Sequence, residues 1–302
     1  MPEADPEDLY SRPYPTEEFL DDWLARTAEL ILNYRPRLLY FDWWVQHEAF
    51  KPYLKKLAAF YYNCGAEWGT NVAICYKHDA MAFGSGIVEM ERGGFAEAKP
   101  YPWQTDTAIA RNSWCYTDTL IYKTSQEIIC TLVDVVSKNG NLLLNVGPKA
   151  DGTLPEGDKK ILRDLADWMA VNREAIHGAK VWRKSSEGPT KMQEGQFSDQ
   201  KEMVYTPQDY RFTVNHGNIC AIALKCPQDG NFCVQSLAES SDQNLPEFHG
   251  IIRQVEVLGY EKSPEWKTDA EGLHVKTSGF YSEFPVVLKT VSYTHLTLPT
   301  NS

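Results

Sequence analysis

The sequence predicts an α/β protein in two parts: an incomplete (β/α)8 barrel of the TIM type, then an antiparallel β-sandwich. Three observations predict it. Up to Trp182, helical periodicity alternates with short apolar runs, the pattern of parallel strands buried on both faces. Polar and aromatic residues gather just after those runs, at the end of the strands where a barrel of this type carries its chemistry. Beyond residue 183 the helical pattern stops, and short strand-like runs follow one another between Gly, Pro, Asp and Asn turns.

Residues 1–15 are Pro- and acid-rich and read as a loop. Thr16 can N-cap a helix over Glu17–Tyr34, whose apolar face is Phe19, Leu20, Trp23, Leu24, Ala28, Ile31 and Leu32, and Pro36 stops it. Leu38–Phe41 runs apolar into Asp42. A second helix is expected over about Glu48–Asn63, ending near Gly65, and a strand over Asn71–Tyr76. Residues 78–116 are rich in Gly, Pro and Trp, with short strands expected near 86–90 and 112–116. Thr124 and Glu127 form a capping box that opens a helix to Lys138. Asn141–Val146 is an apolar strand, and Pro155 begins a helix to about Glu174. That makes about five strands where closure needs eight. Further on, strands are expected at Met203–Thr206, Tyr210–Val214, Ile219–Leu224, Phe232–Leu237, Ile251–Leu258, Leu273–Lys276 and Val286–Lys289. The division is therefore a partial barrel over 1–182, a linker over 183–199, a β-sandwich over 200–290 and a tail over 291–302. The tail fits neither pattern and resembles a translated sequencing adapter, so it is set aside from the fold.

Composition narrows the chemistry. Hydrophobic residues make up 43 % of the chain, enough for a real core. A net charge of −11 without a basic patch argues against nucleic acid as a partner. No run reaches the length of a membrane span. The 9 Trp and 16 Tyr among abundant carboxylates suit a sugar, which stacks an apolar face on a ring and offers hydroxyls to polar groups. The 7 Cys are odd in number and have no CxxC spacing, so buried free thiols are expected, and no metal site. The sequence assigns no compartment and no oligomeric state.

Asp42 ends an apolar strand and precedes Trp43-Trp44. A carboxylate there can act on a substrate, cap a helix or hold an ion pair. Glycoside hydrolysis with retention needs two carboxyl groups about 5–5.5 Å apart. Tyr40 lies two residues before Asp42 and shares its face of the strand.

The motifs together are more specific. Leu38-Leu-Tyr-Phe-Asp-Trp-Trp44, Pro102-Trp-Gln-Thr-Asp-Thr107, Ser113-Trp-Cys-Tyr116 and Gly140-Asn-Leu-Leu-Leu-Asn-Val-Gly-Pro-Lys-Ala-Asp-Gly-Thr153, with Asp167-Trp168 through Ile176 and Trp182, resemble the α-L-fucosidases of glycoside hydrolase family 29. The resemblance runs from about residue 16 to 289. It implies a retaining exo-glycosidase for fucosylated oligosaccharides or glycoconjugates, with Asp42 as nucleophile and no metal or other cofactor. The acid/base of one branch of the family is a Glu where this chain has Gln104, which cannot donate a proton usefully. Glu91 is the first choice for that role and Glu89 the second. The alternative for Glu91 is a structural partner of Arg92 or Lys77. A dry aromatic pocket beside a second carboxylate favours the protonated form that an acid needs. Lys77 stands where some relatives carry an Arg near the substrate, so it binds a sugar hydroxyl or is a solvated lysine. Trp103 and Trp114 pack on the sugar or in the core. Cys115 replaces a Gly of the family pattern, which would cost about 1 kcal/mol if that position has positive φ. The competing readings are a non-catalytic sugar-binding relative and a glycosidase for another sugar.

The N-terminal barrel portion of such enzymes, with its His-His pair, has no counterpart before residue 16. An open half-barrel exposes a strand edge and apolar surface. Residues 1–290 alone are therefore expected to be unstable or aggregation-prone, and to give no turnover of p-nitrophenyl-α-L-fucoside. Robust turnover by the purified segment would contradict this.

Overall fold

The computed structural model describes residues 15–200, 202–239 and 251–293, and the chain divides into two compact units. The first runs to Glu91 and includes Pro102–Gln104; the second comprises Arg92–Tyr101 and Thr105 onward.

The first unit alternates helix and strand: α1 (Glu17–Tyr34), β1 (Leu38–Phe41), α2 (Lys51–Glu67), β2 (Ala73–Lys77), β3 (Ile87–Glu89) and the start of β4 (Trp103–Ala108). The Thr16 hydroxyl caps α1 by accepting from the Phe19 amide at 3.2 Å, and Arg35 closes it in the left-handed conformation with φ 45°. The tyrosine hydroxyl of Tyr61 on α2 donates to the Pro36 carbonyl at 2.8 Å and fixes the turn into β1. Ile31, Leu57, Tyr61 and Ile74 are fully buried where α1 and α2 pack on the strands. Trp23 wedges between Phe41 and Phe50, with ring centroids 5.6 and 5.2 Å away. β1, β2, β3 and β4 are parallel neighbours in that order. Their register pairs Phe41 with Tyr76, Lys77 with Glu89, and Glu89 with Gln104. One residue beyond Phe41, Asp42 is level with Lys77. Asp42, Lys77, Glu89 and Gln104 thus form one row across the sheet, at the ends of β1, β2 and β3 and the start of β4.

The second unit takes β4 onward and adds α3 (Ser125–Ser137), β5 (Gly140–Asn145), next to β4 in the sheet, and α4 (Glu156–Asn172). The capping box of Thr124 and Glu127 opens α3 as the sequence predicts. An antiparallel sheet follows in the order β10 (Ile251–Val257), β13 (Val286–Tyr293), β8 (Asn218–Ala223), β7 (Tyr210–Asn215), β6 (Lys180–Glu187). A three-stranded sheet is ordered β11 (Glu265–Asp269), β12 (Gly272–Lys276), β9 (Asn231–Val234). Alternation along β8 explains the layering. Cys220 and Ile222 face Ile129, Val133 and Trp168 of the helices, whereas Ile219 and Ala221 face a core that includes Phe232, Leu273 and Val275.

Several expectations need correction. The segment read as a linker from 183 begins inside β6, which pairs with β7. Met203–Thr206 and 112–116 form no strand. β11 was not expected, because Trp266 is its one apolar residue. α2 starts at Lys51 after a 3-10 turn and continues through Gly65. Gly65 does not stop the helix; a Cβ there would lie 2.6 Å from a Val72 methyl, so it makes room for the returning chain. Val291–Tyr293, placed in the tail, completes β13 against β10; residues 294–302 lie outside the described ones. Cys64, Cys75, Cys130, Cys220 and Cys226 are buried free thiols as expected, Cys233 is half-buried and Cys115 is exposed. Cys115 avoids positive φ. The close approach falls instead on Gly147, where a Cβ would be 2.8 Å from the Tyr116 amide.

Asp134 of α3 ties the helix layer to β7. It accepts from Arg211 Nε at 2.5 Å and Lys138 Nζ at 2.7 Å, all three buried. Burial alone would raise the Asp134 carboxyl, but the two cations outweigh it and hold it below its usual value. The stability it contributes is present above the ordinary Asp range and is lost as pH falls through the depressed value. Asp134→Ala strands two buried cations and should cost about 3–5 kcal/mol in urea unfolding at pH 7. The penalty should shrink in acid; an equal penalty at both pH values would contradict it.

Candidate active site

The row of strand ends in the first unit gathers one cation and three carboxylates. Lys77 closes β2 and is 2 % exposed, so its ammonium has left bulk water. Such a charge is tolerated only with close partners. Its Nζ lies 2.7 Å from Glu91 Oε2, 3.0 Å from Asp42 Oδ1 and 3.7 Å from Glu89 Oε2. The ammonium also lies 5.8 Å from the Tyr40 ring centroid and 5.9 Å from that of Trp43, within cation–π range.

The carboxylates differ in access. The Asp42 side chain is 64 % exposed, that of Glu91 10 % and that of Glu89 0 %. Asp42 and Glu91 share Lys77 as partner, so the bonded oxygens are at most about 6 Å apart, the scale of a retaining carboxylate pair. Trp43 adds a second link, its indole Nε1–H donating to Glu91 Oε2 at 2.6 Å. The Trp43 ring is tilted against His78, with centroids 4.6 Å apart. Two residues just past the strand ends, Trp44 at φ 82° and His78 at φ 53°, hold left-handed backbone. That conformation costs a residue with a Cβ about 1–2 kcal/mol and is tolerated where the surroundings fix the chain.

The sequence-predicted residues fall into two groups. Asp42, Glu91, Tyr40 and Lys77, with Glu89, are brought together. Lys77 is not a solvated lysine; it is buried and paired, because three carboxylates surround its head group. Trp103 has no accessible surface, so its ring packs as core and offers no face to a sugar. Trp114 belongs to the second unit, where its ring stacks on the Arg92 guanidinium at 5.0 Å. Arg92 pairs with Asp199 at 3.2 Å rather than with Glu91. Sequence reasoning passed over Trp43 as a hydrogen-bond donor and His78 as its support. The available signal was their position, each one residue past a group in the row.

Comparison with known proteins identifies the family. The family model described as Alpha-L-fucosidase matches residues 3–174. Plasma alpha-L-fucosidase of Rattus norvegicus is 29 % identical over 189 residues, covering 62 % of this chain and 35 % of the rat protein. Its Homo sapiens counterpart is 29 % identical over 198 residues, covering 60 % of this chain and 39 % of the human protein. Among solved structures, the Thermotoga maritima alpha-fucosidase in complex with fucose superposes with TM-score 0.70 at 27 % identity, covering 95 % of this chain and 60 % of that one. The chain belongs to the alpha-L-fucosidase family. It spans little more than a third of the length of these curated relatives.

Lys77→Met should be severely destabilising. It leaves Glu89 and Glu91 buried without their cation, which costs about 3–5 kcal/mol. Adding Glu89→Gln should restore part of the loss. Thermal unfolding of the single and double variants checks this, and an unchanged melting temperature for Lys77→Met would contradict it.

Proposed function

We propose that this chain carries the reacting carboxylates of a retaining α-L-fucosidase that releases terminal α-L-fucose from fucosylated oligosaccharides or glycoconjugates. The carrying observation is the Lys77 bridge, which keeps the bonded oxygens of Asp42 and Glu91, from two different strand ends, no more than about 6 Å apart, on the scale that retention needs. Asp42 is the nucleophile: its exposed carboxylate attacks the anomeric carbon as the glycosidic bond breaks. Glu91 gives its proton to the departing oxygen, then takes one from the water that hydrolyses the fucosyl-Asp42 ester. Glu89 remains second choice, and its burial counts against contact with substrate. Lys77 offsets part of the cluster's negative charge and orients Asp42, while Tyr40 lines the same face.

In this reading the parallel strands belong to a (β/α)8 barrel and the antiparallel sheets to a β-sandwich over about 200–290. Two facing carboxylates suffice for the reaction, so no organic cofactor or metal enters the scheme. The fucose bound in the Thermotoga maritima structure supports fucose as the sugar.

In a protein of the relatives' full length that carries these residues, Asp42→Asn should lower kcat on p-nitrophenyl-α-L-fucoside by about 10⁴-fold or more, the scale of losing a covalent nucleophile. Fucose binding, read by calorimetry, should change little. An Asp42→Asn variant that retains more than a tenth of wild-type kcat would refute the assignment. A wild type that binds fucose without ever turning over aryl fucosides would favour a sugar-binding protein.

A further inference from the structure

We infer that Trp43 is the positioning residue of the acid/base: its indole N–H holds Glu91 by one oxygen and leaves the other to carry the proton. The inference rests on the reading of Asp42 and Glu91 as a retaining pair. Glu91 follows β3 by two residues, and its neighbours Met90 and Arg92 donate their amides to the Gln104 and Asp106 carbonyls of β4, both at 2.8 Å, which fixes the backbone on either side but not the Glu91 carboxyl. Two donors fix it instead, Lys77 Nζ at 2.7 Å and Trp43 Nε1 at 2.6 Å, and both reach the same atom, Oε2. An oxygen that accepts from an ammonium and an indole cannot also hold a proton directed at a substrate. The proton passed to the departing glycosidic oxygen must therefore sit on Oε1, and the carboxyl plane is set by the two bonds to Oε2.

Trp43 suits this task for three reasons. It is the next residue after Asp42, so the nucleophile and the donor that orients its partner ride on one dipeptide. Its ring is backed by His78, which holds left-handed backbone beside Lys77. An indole is rigid, with two side-chain torsions, and donates without adding charge to a cluster that already holds a buried ammonium. The separation of the two carboxylates is thereby set twice, once through Lys77 and once through the chain from Asp42 to Trp43.

Trp43→Phe keeps an aromatic ring against His78 and deletes the donor. In the full-length protein the variant should lose about 10- to 100-fold in kcat/KM on a fucosyl disaccharide, whose leaving group needs a well-placed proton. On α-L-fucosyl fluoride, which departs with little help, the loss should stay under about 3-fold. Equal losses on both substrates would reduce Trp43 to a packing residue and overturn the inference. A second measurement uses the same full-length protein and no catalysis. In ¹⁵N-labelled protein, with the Trp43 indole signal assigned by its absence in Trp43→Phe, Glu91→Gln should move that signal upfield while Trp44→Phe leaves it in place. An indole signal indifferent to Glu91→Gln overturns the positioning role whether or not the enzyme turns over. A full-length wild type that is inactive on both substrates, with the coupled indole signal intact, removes the retaining reaction and leaves the Trp43–Glu91 link standing.

Discussion

A single buried ammonium organises the candidate site. Lys77 has almost no contact with water, and three carboxylates converge on it from two strand ends, Asp42 after β1 and Glu89 and Glu91 at and just past the end of β3. Without a cation at the centre, Glu89 and Glu91 would stand ionised beside one another in a dry setting, which proteins avoid by neutralising one of them. With it, Asp42 and Glu91 are held at a defined spacing, and only Asp42 remains open to solvent. The parallel register makes this possible. The ends of β1, β2 and β3 and the beginning of β4 meet at one level and place Asp42, Lys77, Glu89 and Gln104 in one row, so the polar layer is a property of the sheet rather than of any one loop.

The second unit handles buried charge in the same manner for a structural purpose. Asp134, Lys138 and Arg211 form a closed set between helix and sheet. Lys123 donates to Asp199 at 2.5 Å and to Thr107 at 2.6 Å, with Arg92 on the other carboxylate oxygen. In both sets every charged group is paired with one of opposite sign. In the Lys77 set one carboxylate is left exposed, and that asymmetry distinguishes the candidate site from the two structural networks.

Much of this was legible in the residue pattern because local rules dominated. Thr16 and the Thr124–Glu127 box marked the starts of α1 and α3, and uninterrupted apolar runs marked β1 and β5. Asp42 could be found because it breaks an apolar run at a strand end, and Glu91 because it follows the next short strand but one. What escaped depended on contacts distant in sequence. Nothing local tells that Lys77 is buried rather than solvated, that Trp103 is sealed into the core, or that Arg92 turns to Asp199, 107 residues away. Gly65 looked like a helix stop and serves as clearance for Val72. The Trp43–Glu91 bond spans 48 residues and could not be read before the register was known.

The central claim is that Asp42 forms the covalent bond to the sugar. Its most direct test is trapping with 2-deoxy-2-fluoro-α-L-fucosyl fluoride in the full-length protein, followed by peptide mass spectrometry. The account predicts one added deoxyfluorofucosyl group, located on the peptide containing Asp42. Labelling on Glu89 or Glu91 instead, or turnover of fucosides with inverted product and no adduct, would contradict it.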